Sequence, residues 1–260
     1  MLMTYQTALL FNVQLPMALY GFVFSGSVCS YNFHWYLTPP VISGKSHKLR
    51  WNVSNRSLHL ILFIIGVGGA AITSILLLQH WLWLGLTAFL TFLYSAPKID
   101  HPLTSWLRKI AIGKTIFLAF AWMHVTALLP LLVTEGTINP QHIWFVINRF
   151  FFIYAICIVF DRRDVDSDRE AGIKSLITFL SPKGIDTLFW VSLLITFITT
   201  AILGQWLPVT YLFILAIPGV LMGLLYERSK KNFSDYLYYF LLDGLMALSA
   251  PMLILAKFAR

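Results

Sequence analysis

Ile143-Trp-Phe-Val-Ile-Asn148-Arg149-Phe-Phe-Phe-Ile-Tyr-Ala-Ile-Cys157-Ile-Val-Phe160-Asp161-Arg162-Arg163-Asp164-Val165-Asp166-Ser167-Asp168-Arg169-Glu170-Ala-Gly172-Ile-Lys174 joins a long apolar run to a dense block of charge. The run before Asp161 is long enough for a membrane-spanning helix, and a helix that stops being apolar so abruptly marks where it meets water. Working outward, the same texture recurs along the 260-residue chain. Hydrophobic residues make up 58 % and charged residues only 12 %, and the mean hydropathy is +0.75. A soluble fold of this size could not cover its surface with so few charges. The fold class is therefore an all-α polytopic membrane protein, a single helical-bundle domain over residues 1–260 with about eight transmembrane helices. The expected spans are roughly 8–36, 57–78, 80–95, 108–133, 140–161, 185–204, 207–225 and 234–256, the third of them short. No positively charged n-region occurs in residues 1–20, so no cleavable signal peptide is expected.

The net charge of +8 raises nucleic acid as a partner. The distribution of the charge argues against it. Fifteen of the 19 basic residues fall in the four inter-span segments 37–56, 96–109, 161–184 and 226–233. That asymmetry puts these segments in the cytoplasm and, with an even number of spans, both termini outside, in an inner or plasma membrane. The partners expected on this basis are membrane lipids, with no nucleic acid. Asn52-Val-Ser54 and Asn55-Arg-Ser57 match the glycosylation pattern but lie on the wrong side for it. Cys29 and Cys157 sit inside apolar segments and read as packed thiols rather than a disulfide. The Gly66-Val-Gly68-Gly69 run reads as a site of close helix packing.

The acidic residues are just as unevenly spread. None precedes Asp100, and five of the 11 lie between 161 and 170. If the fifth span continues as helix, Asp161, Asp164 and Asp168 share one stripe at i, i+3 and i+7. Converging carboxylates repel one another unless a cation sits among them, and Mg²⁺ takes oxygen ligands and bridges to phosphate. Arg162, Arg163, Arg169 and Lys174 are placed to neutralise a diphosphate. A solvated loop with five acids balanced by four bases is the competing reading.

These residues, through Gly172, Lys174 and Leu176, resemble the second aspartate motif of the UbiA superfamily of membrane prenyltransferases. A Tyr94-Ser95-Ala-Pro97 turn after the third span adds a weaker likeness. The resemblance implies a UbiA-like bundle around a lipid-open cavity, where Mg²⁺ and an isoprenyl diphosphate are held on the cytoplasmic side. It implies that the allylic diphosphate ionises and that a lipid or aromatic acceptor attacks the cation. Asp161, Asp164 and Asp168 would then be the metal ligands and catalytic residues. Asn32, His34, Lys114, Arg162 and Lys174 would contact substrate, although snorkelling to the interface is the favoured account of Lys114.

The chain departs from the family at the first aspartate motif. In that slot stands Asn32-Phe33-His34-Trp35-Tyr36-Leu37-Thr38-Pro39-Pro40, with Phe33, Tyr36 and Pro40 where the family carries aspartates. Only one span fits before the slot, so the fold is expected to lack the family's first helix. The alternative reading is thus a catalytically impaired or non-catalytic UbiA-fold protein that binds lipid or assists assembly. A transporter reading rests on Arg149 and Asp243 alone, two charges expected to pair near mid-membrane. Tyr236, Tyr239 and Asp243 share a helical face and are candidates to line the cavity, while His124 is expected to bond a neighbouring helix.

The orientation is open to a direct check. With Cys29 replaced by Ser, a thiol at Arg260→Cys is expected to react with an impermeant maleimide on intact cells. One at Ser46→Cys is expected to react only after permeabilisation. The opposite pattern inverts the topology.

Overall fold

The computed structural model describes residues 1–37, 51–52, 54–95, 114–170 and 176–258, with residues 94–95, 114 and 166–170 described as backbone only. Every element among them is helical. In chain order these are α1 (Leu2–Phe11), α2 (Met17–Tyr36), α3 (Arg56–Leu76) and, after a 3₁₀ turn at Leu78–His80, α4 (Trp81–Ser95). Next comes α5, built from Lys114–Met123, a π turn at His124–Leu128 and Leu129–Thr134. The rest are α6 (Pro140–Glu170), α7 (Leu176–Phe179), α8 (Pro182–Leu203), α9 (Val209–Ser229) and α10, which opens with a π turn at Leu237–Leu242 and continues as Asp243–Phe258.

Six of these helices are long and apolar enough to cross a membrane: Arg56–Leu76, Thr115–Thr134, Pro140–Val165, Pro182–Leu203, Val209–Ser229 and Leu237–Phe258. They coincide with six of the eight expected spans. The apolar helix Leu78–Leu93 is shorter, as expected of the third. The expected first span, 8–36, is corrected: it is two helices. Asn12 takes a left-handed φ of 55°, and Pro16 caps α2 in extended conformation with φ −64° and ψ 142°. Proline cannot donate the amide a continuing helix needs, and it pushes the residue before it out of the helical region. Consequently α1 precedes α2, and Asn32–Tyr36 of the slot form the last turns of a second helix rather than a first, with residues 38–40 outside the described residues. At ten residues α1 is about 15 Å long, half of what a bilayer core requires.

The helices form two compact units. The first holds the described residues from Pro16 to Ser95, that is α2, α3 and α4. Here α3 lies along α2 at very close range. A Cβ on Gly66 would stand 2.6 Å from the Cys29 backbone nitrogen, and one on Gly69 would meet Ser25, whereas one on Gly68 would meet nothing. Two of the three glycines therefore act as the close-packing run requires. Phe33 stacks on Phe63 at 5.1 Å, and Arg56 donates to the Tyr36 carbonyl at 2.7 Å. The outer face of α3 exposes Ile61, Ile64, Ile65, Ile72 and Ile75, each by more than half. Such a continuous apolar face suits lipid, not water.

The second unit holds α1 and α5–α10. Its core runs along α6, where Ile153, Ala155, Ile156, Ile158 and Val159 are fully buried among residues of α5, α8, α9 and α10. Ser181 caps α8 by accepting from the Gly184 amide at 3.2 Å, with Pro182 at the first helical position. Asn148 on α6 donates to the Thr196 carbonyl at 2.8 Å and to the Thr199 and Thr200 hydroxyls at 3.0 and 2.8 Å on α8. In the π turn of α5, the Thr126 carbonyl accepts from Thr7 of α1 at 2.6 Å. Neither cysteine forms a disulfide, as expected.

The glycine geometry sets up a paired test of the first unit. Gly66→Ala is expected to lower stability by about 1–3 kcal/mol, because the Cys29 backbone must be pushed away. Gly68→Ala should be neutral or mildly stabilising. Both are read from detergent-solubilised unfolding curves, and equal effects would mean that α2 and α3 do not approach as described.

Candidate functional site

The block of charge after Phe160 is helix, not loop: α6 continues without a break to Glu170. At about 100° per residue, its first charged turn sends consecutive side chains in different directions. Asp161, only 8 % exposed, accepts from the Thr115 hydroxyl on α5. Arg162 turns to α8 and α9, where it pairs with Asp186 and donates to the Tyr226 hydroxyl at 3.1 Å. Arg163 turns to α10. Its guanidinium donates to the Tyr239 hydroxyl at 3.1 Å and lies over the rings of Tyr238, Tyr239 and Phe160 at 4.6, 4.9 and 5.4 Å. It also reaches its own neighbour, with Nε 2.8 Å from Asp164 Oδ1. Cation–π contacts of this kind gain strength when the site is shielded from water.

Asp186 collects three donors. Besides Arg162 it accepts from the Tyr226 hydroxyl at 2.6 Å and from Lys230 Nζ at 3.1 Å. Tyr226 is fully buried and stacks flat on Phe189 at 3.7 Å, so the carboxylate faces a fixed phenol. Lys230 also lies over the Tyr226 ring at 4.3 Å and pairs with Glu227 at 2.6 Å. The opening residues of α8 and the closing ones of α9 are thereby tied to the polar end of α6. Asp186, Tyr226, Lys230 and Thr115 were not anticipated as site residues. The available signal was Asp186 itself, a carboxylate one residue inside the expected 185–204 span, where a charge calls for a partner.

Of the expected site residues, Asp161, Asp164 and Arg162 occur together on this turn of α6. The side chains of Asp168 and Lys114, and all of Lys174, lie outside the described residues. So do residues 96–97 and the Tyr94 and Ser95 side chains of the expected turn. Asn32 and His34 belong to the first unit. There the Asn32 amide donates to the Val28 carbonyl at 2.7 Å, and its oxygen lies 2.7 Å from His59 Nδ1. His59 Nε2 lies 3.1 Å from Asn52 Oδ1. This Asn–His–Asn chain, buried at His59 and Asn52, also went unanticipated. The His34 ring meets Trp35 edge-on at 6.1 Å. Among the described residues no three His, Cys, Asp or Glu side chains converge as a metal-binding group.

Two expected pairings are corrected. Arg149, 3 % exposed, donates to Gln6 Oε1 of α1 at 2.7 Å rather than pairing with Asp243. It also lies 5.0 Å over the Phe145 ring. Gln6 in turn donates to Ser249 on α10 at 2.8 Å, so α1 brings a neutral amide to a buried cation. The expected Tyr236–Tyr239–Asp243 face is broken by the π turn. Tyr236 is 64 % exposed and stacks on Phe240 at 5.1 Å, while Tyr239 turns to Arg163. The π turn inserts a residue into the helical repeat and so rotates the face that follows. His124 opens the other π turn and is fully buried.

An apolar helical bundle that gathers acids, arginines and tyrosines at one end of its central helix defines an intramembrane protein with a polar site at a helix terminus. The sequence profile of the UbiA prenyltransferase family matches residues 49–242, about three quarters of the chain, and the chain belongs to that family. The match takes in the whole of the α6 charge block and begins after the Asn32–Pro40 segment. Neither the curated proteins nor the solved structures include a match to it.

The Arg149–Gln6 contact yields its own prediction. Gln6→Leu is expected to cost about 2 kcal/mol, since it strips a hydrogen bond from a buried charge. Adding Arg149→Leu should recover part of that loss. Losses that simply add in the double variant would show that the two side chains are not coupled.

Proposed function

We propose that this protein binds an isoprenyl diphosphate through Mg²⁺ at Asp161, Asp164 and Asp168 and transfers the prenyl group to a lipid or aromatic acceptor within the membrane. Membership of the UbiA family implies an intramembrane prenyltransferase-like function. One observation carries the finer reading: Asp161 is a buried carboxylate at the end of an apolar span, with Asp164 one turn further along the same helix. The donor chemistry supports Mg²⁺, which takes oxygen ligands and commonly uses one or two carboxylates alongside waters and substrate phosphate. Mg²⁺ bound there would supply Lewis-acid stabilisation of the leaving diphosphate.

The chain's own residues would do the rest. Thr115 orients the Asp161 carboxylate. Basic residues of the segments flanking α6, Lys114 and Lys174 among them, would carry diphosphate contacts. The Phe, Ile and Tyr side chains along α6 would exclude water from the reacting bond. The site is assigned to the cytoplasmic face of an inner or plasma membrane, from the distribution of Lys and Arg.

A second reading is favoured by the first-motif slot. Phe33, Tyr36 and Pro40 supply no carboxylate, and no acid precedes Asp100. Asn32, the one polar survivor of the motif, is occupied by Val28 and His59. A chain with half of a diphosphate clamp would bind an isoprenoid lipid without turning it over, since charge stabilisation at the leaving group is usually a leading catalytic term.

Purified protein mixed with labelled farnesyl or geranylgeranyl diphosphate, Mg²⁺ and a membrane lipid extract distinguishes the two. Catalysis predicts Mg²⁺-dependent diphosphate release that falls at least about 100-fold in Asp161→Asn, as when a group stabilising charge in the transition state is lost. Binding without release selects the lipid-binding reading. Identical donor affinity in wild type and Asp161→Asn would remove the site from α6 altogether.

A further inference from the structure

We propose that Asp186 is a positioning residue that, through Arg162, fixes the rotation of the polar end of α6 and hence the direction in which Asp161 and Asp164 are presented. The role of those two carboxylates rests on the diphosphate reading above, while the brace itself is a matter of geometry.

Three consecutive side chains of α6 are each held by a different neighbour. Asp161 is held by Thr115 of α5, Arg162 by Asp186 of α8 and Tyr226 of α9, and Arg163 by Tyr239 of α10. Because successive residues on a helix point about 100° apart, these contacts pull in three directions around one axis. A helix tied on three sides cannot turn. At the α8–α9 tie the partner carboxylate is itself held by several groups. Asp186 is gripped by Tyr226 at 2.6 Å and Lys230 at 3.1 Å as well as by Arg162, and Tyr226 is fully buried against Phe189. The carboxylate is thus anchored before it receives the guanidinium.

Rotation is what a metal site at this position can least tolerate. A carboxylate carried about 5–6 Å from the helix axis moves roughly 2 Å when the helix turns by about 20°, whereas ligand distances hold to about 0.2 Å. Arg162 therefore serves the site by facing away from it. The adjacent arginines divide the work, Arg162 bracing towards α8 and α9 and Arg163 towards α10, instead of both reaching for phosphate.

The test uses the full chain in lipid nanodiscs, with Mn²⁺ as the probe metal read by electron paramagnetic resonance. Hydrogen exchange of peptides covering residues 158–165 and the unfolding midpoint are measured beside it. Asp186→Asn is expected to weaken Mn²⁺ binding at least about tenfold, as loss of an outer-shell partner does. It should also speed exchange after Phe160 and shift the midpoint little. Arg162→Gln should reproduce this, the double variant should be no worse than either single one, and Asp186→Glu should restore most of the affinity. Unchanged affinity and exchange in Asp186→Asn, or losses that add in the double variant, overturn the brace. Should Asp186→Asn not fold, Tyr226→Phe removes one of the donors that anchor Asp186. A smaller loss in the same direction then supports the brace, and none overturns it. If the wild type binds no Mn²⁺ that Asp161→Asn abolishes, the metal reading falls instead. Exchange alone then decides, with faster exchange in Asp186→Asn and recovery in Asp186→Glu retaining the brace, and unchanged exchange removing it.

Discussion

A charged or polar group inside an apolar bundle must find its partner within the chain, because no water is at hand to supply one. That constraint organises the second unit. Arg149 is answered by Gln6, Asn148 by the threonines of α8 and Asp161 by Thr115. At the polar end, Asp186, a third of whose side chain is exposed, is also answered by a tyrosine and two cations. Apolar packing along α6 gives the unit its core, but it has no preferred rotation. Polar contacts are directional and sparse, so they fix which face of each helix meets which neighbour.

The charge block after Phe160 follows the same rule. On an exposed loop, four bases among five acids would compensate one another at little energetic consequence. On a helix half buried among four others, neighbouring charges cannot all reach each other. Arg162 takes a carboxylate 24 residues further along the chain, and Arg163 takes the tyrosines of α10. The site proposed for diphosphate is therefore built from α6 carboxylates and held by residues from α5, α8, α9 and α10. This arrangement separates two jobs that the primary structure runs together: presenting carboxylates, and holding the helix that presents them.

The first unit satisfies its polar groups in the same way. Asn32 is retained in the slot, yet its side chain closes a hydrogen-bonded chain with His59 and Asn52. Phe33, beside it, stacks on Phe63. Phe33 and Asn32 thus serve as packing and hydrogen-bonding residues between α2 and α3.

Much was legible from the primary structure alone. Membrane class, six of the spans and the family follow from the length and apolarity of runs and from Asp161-Arg-Arg-Asp164-Val-Asp-Ser-Asp168, because these are local properties of consecutive residues. Close packing at Gly66 was legible for the same reason. Tertiary structure alone decided the partners. Nothing within α6 says that Arg149 meets Gln6, 143 residues away, or that Arg162 meets Asp186. Nor could periodicity foresee the turn from Asn12 to Pro16, which divides the first apolar segment between two units, or the π turn that sends Tyr239 to Arg163 and leaves Tyr236 exposed. Helical periodicity reports which face a residue occupies on an ideal helix. Which neighbour that face meets depends on how several helices satisfy their buried polar groups at once.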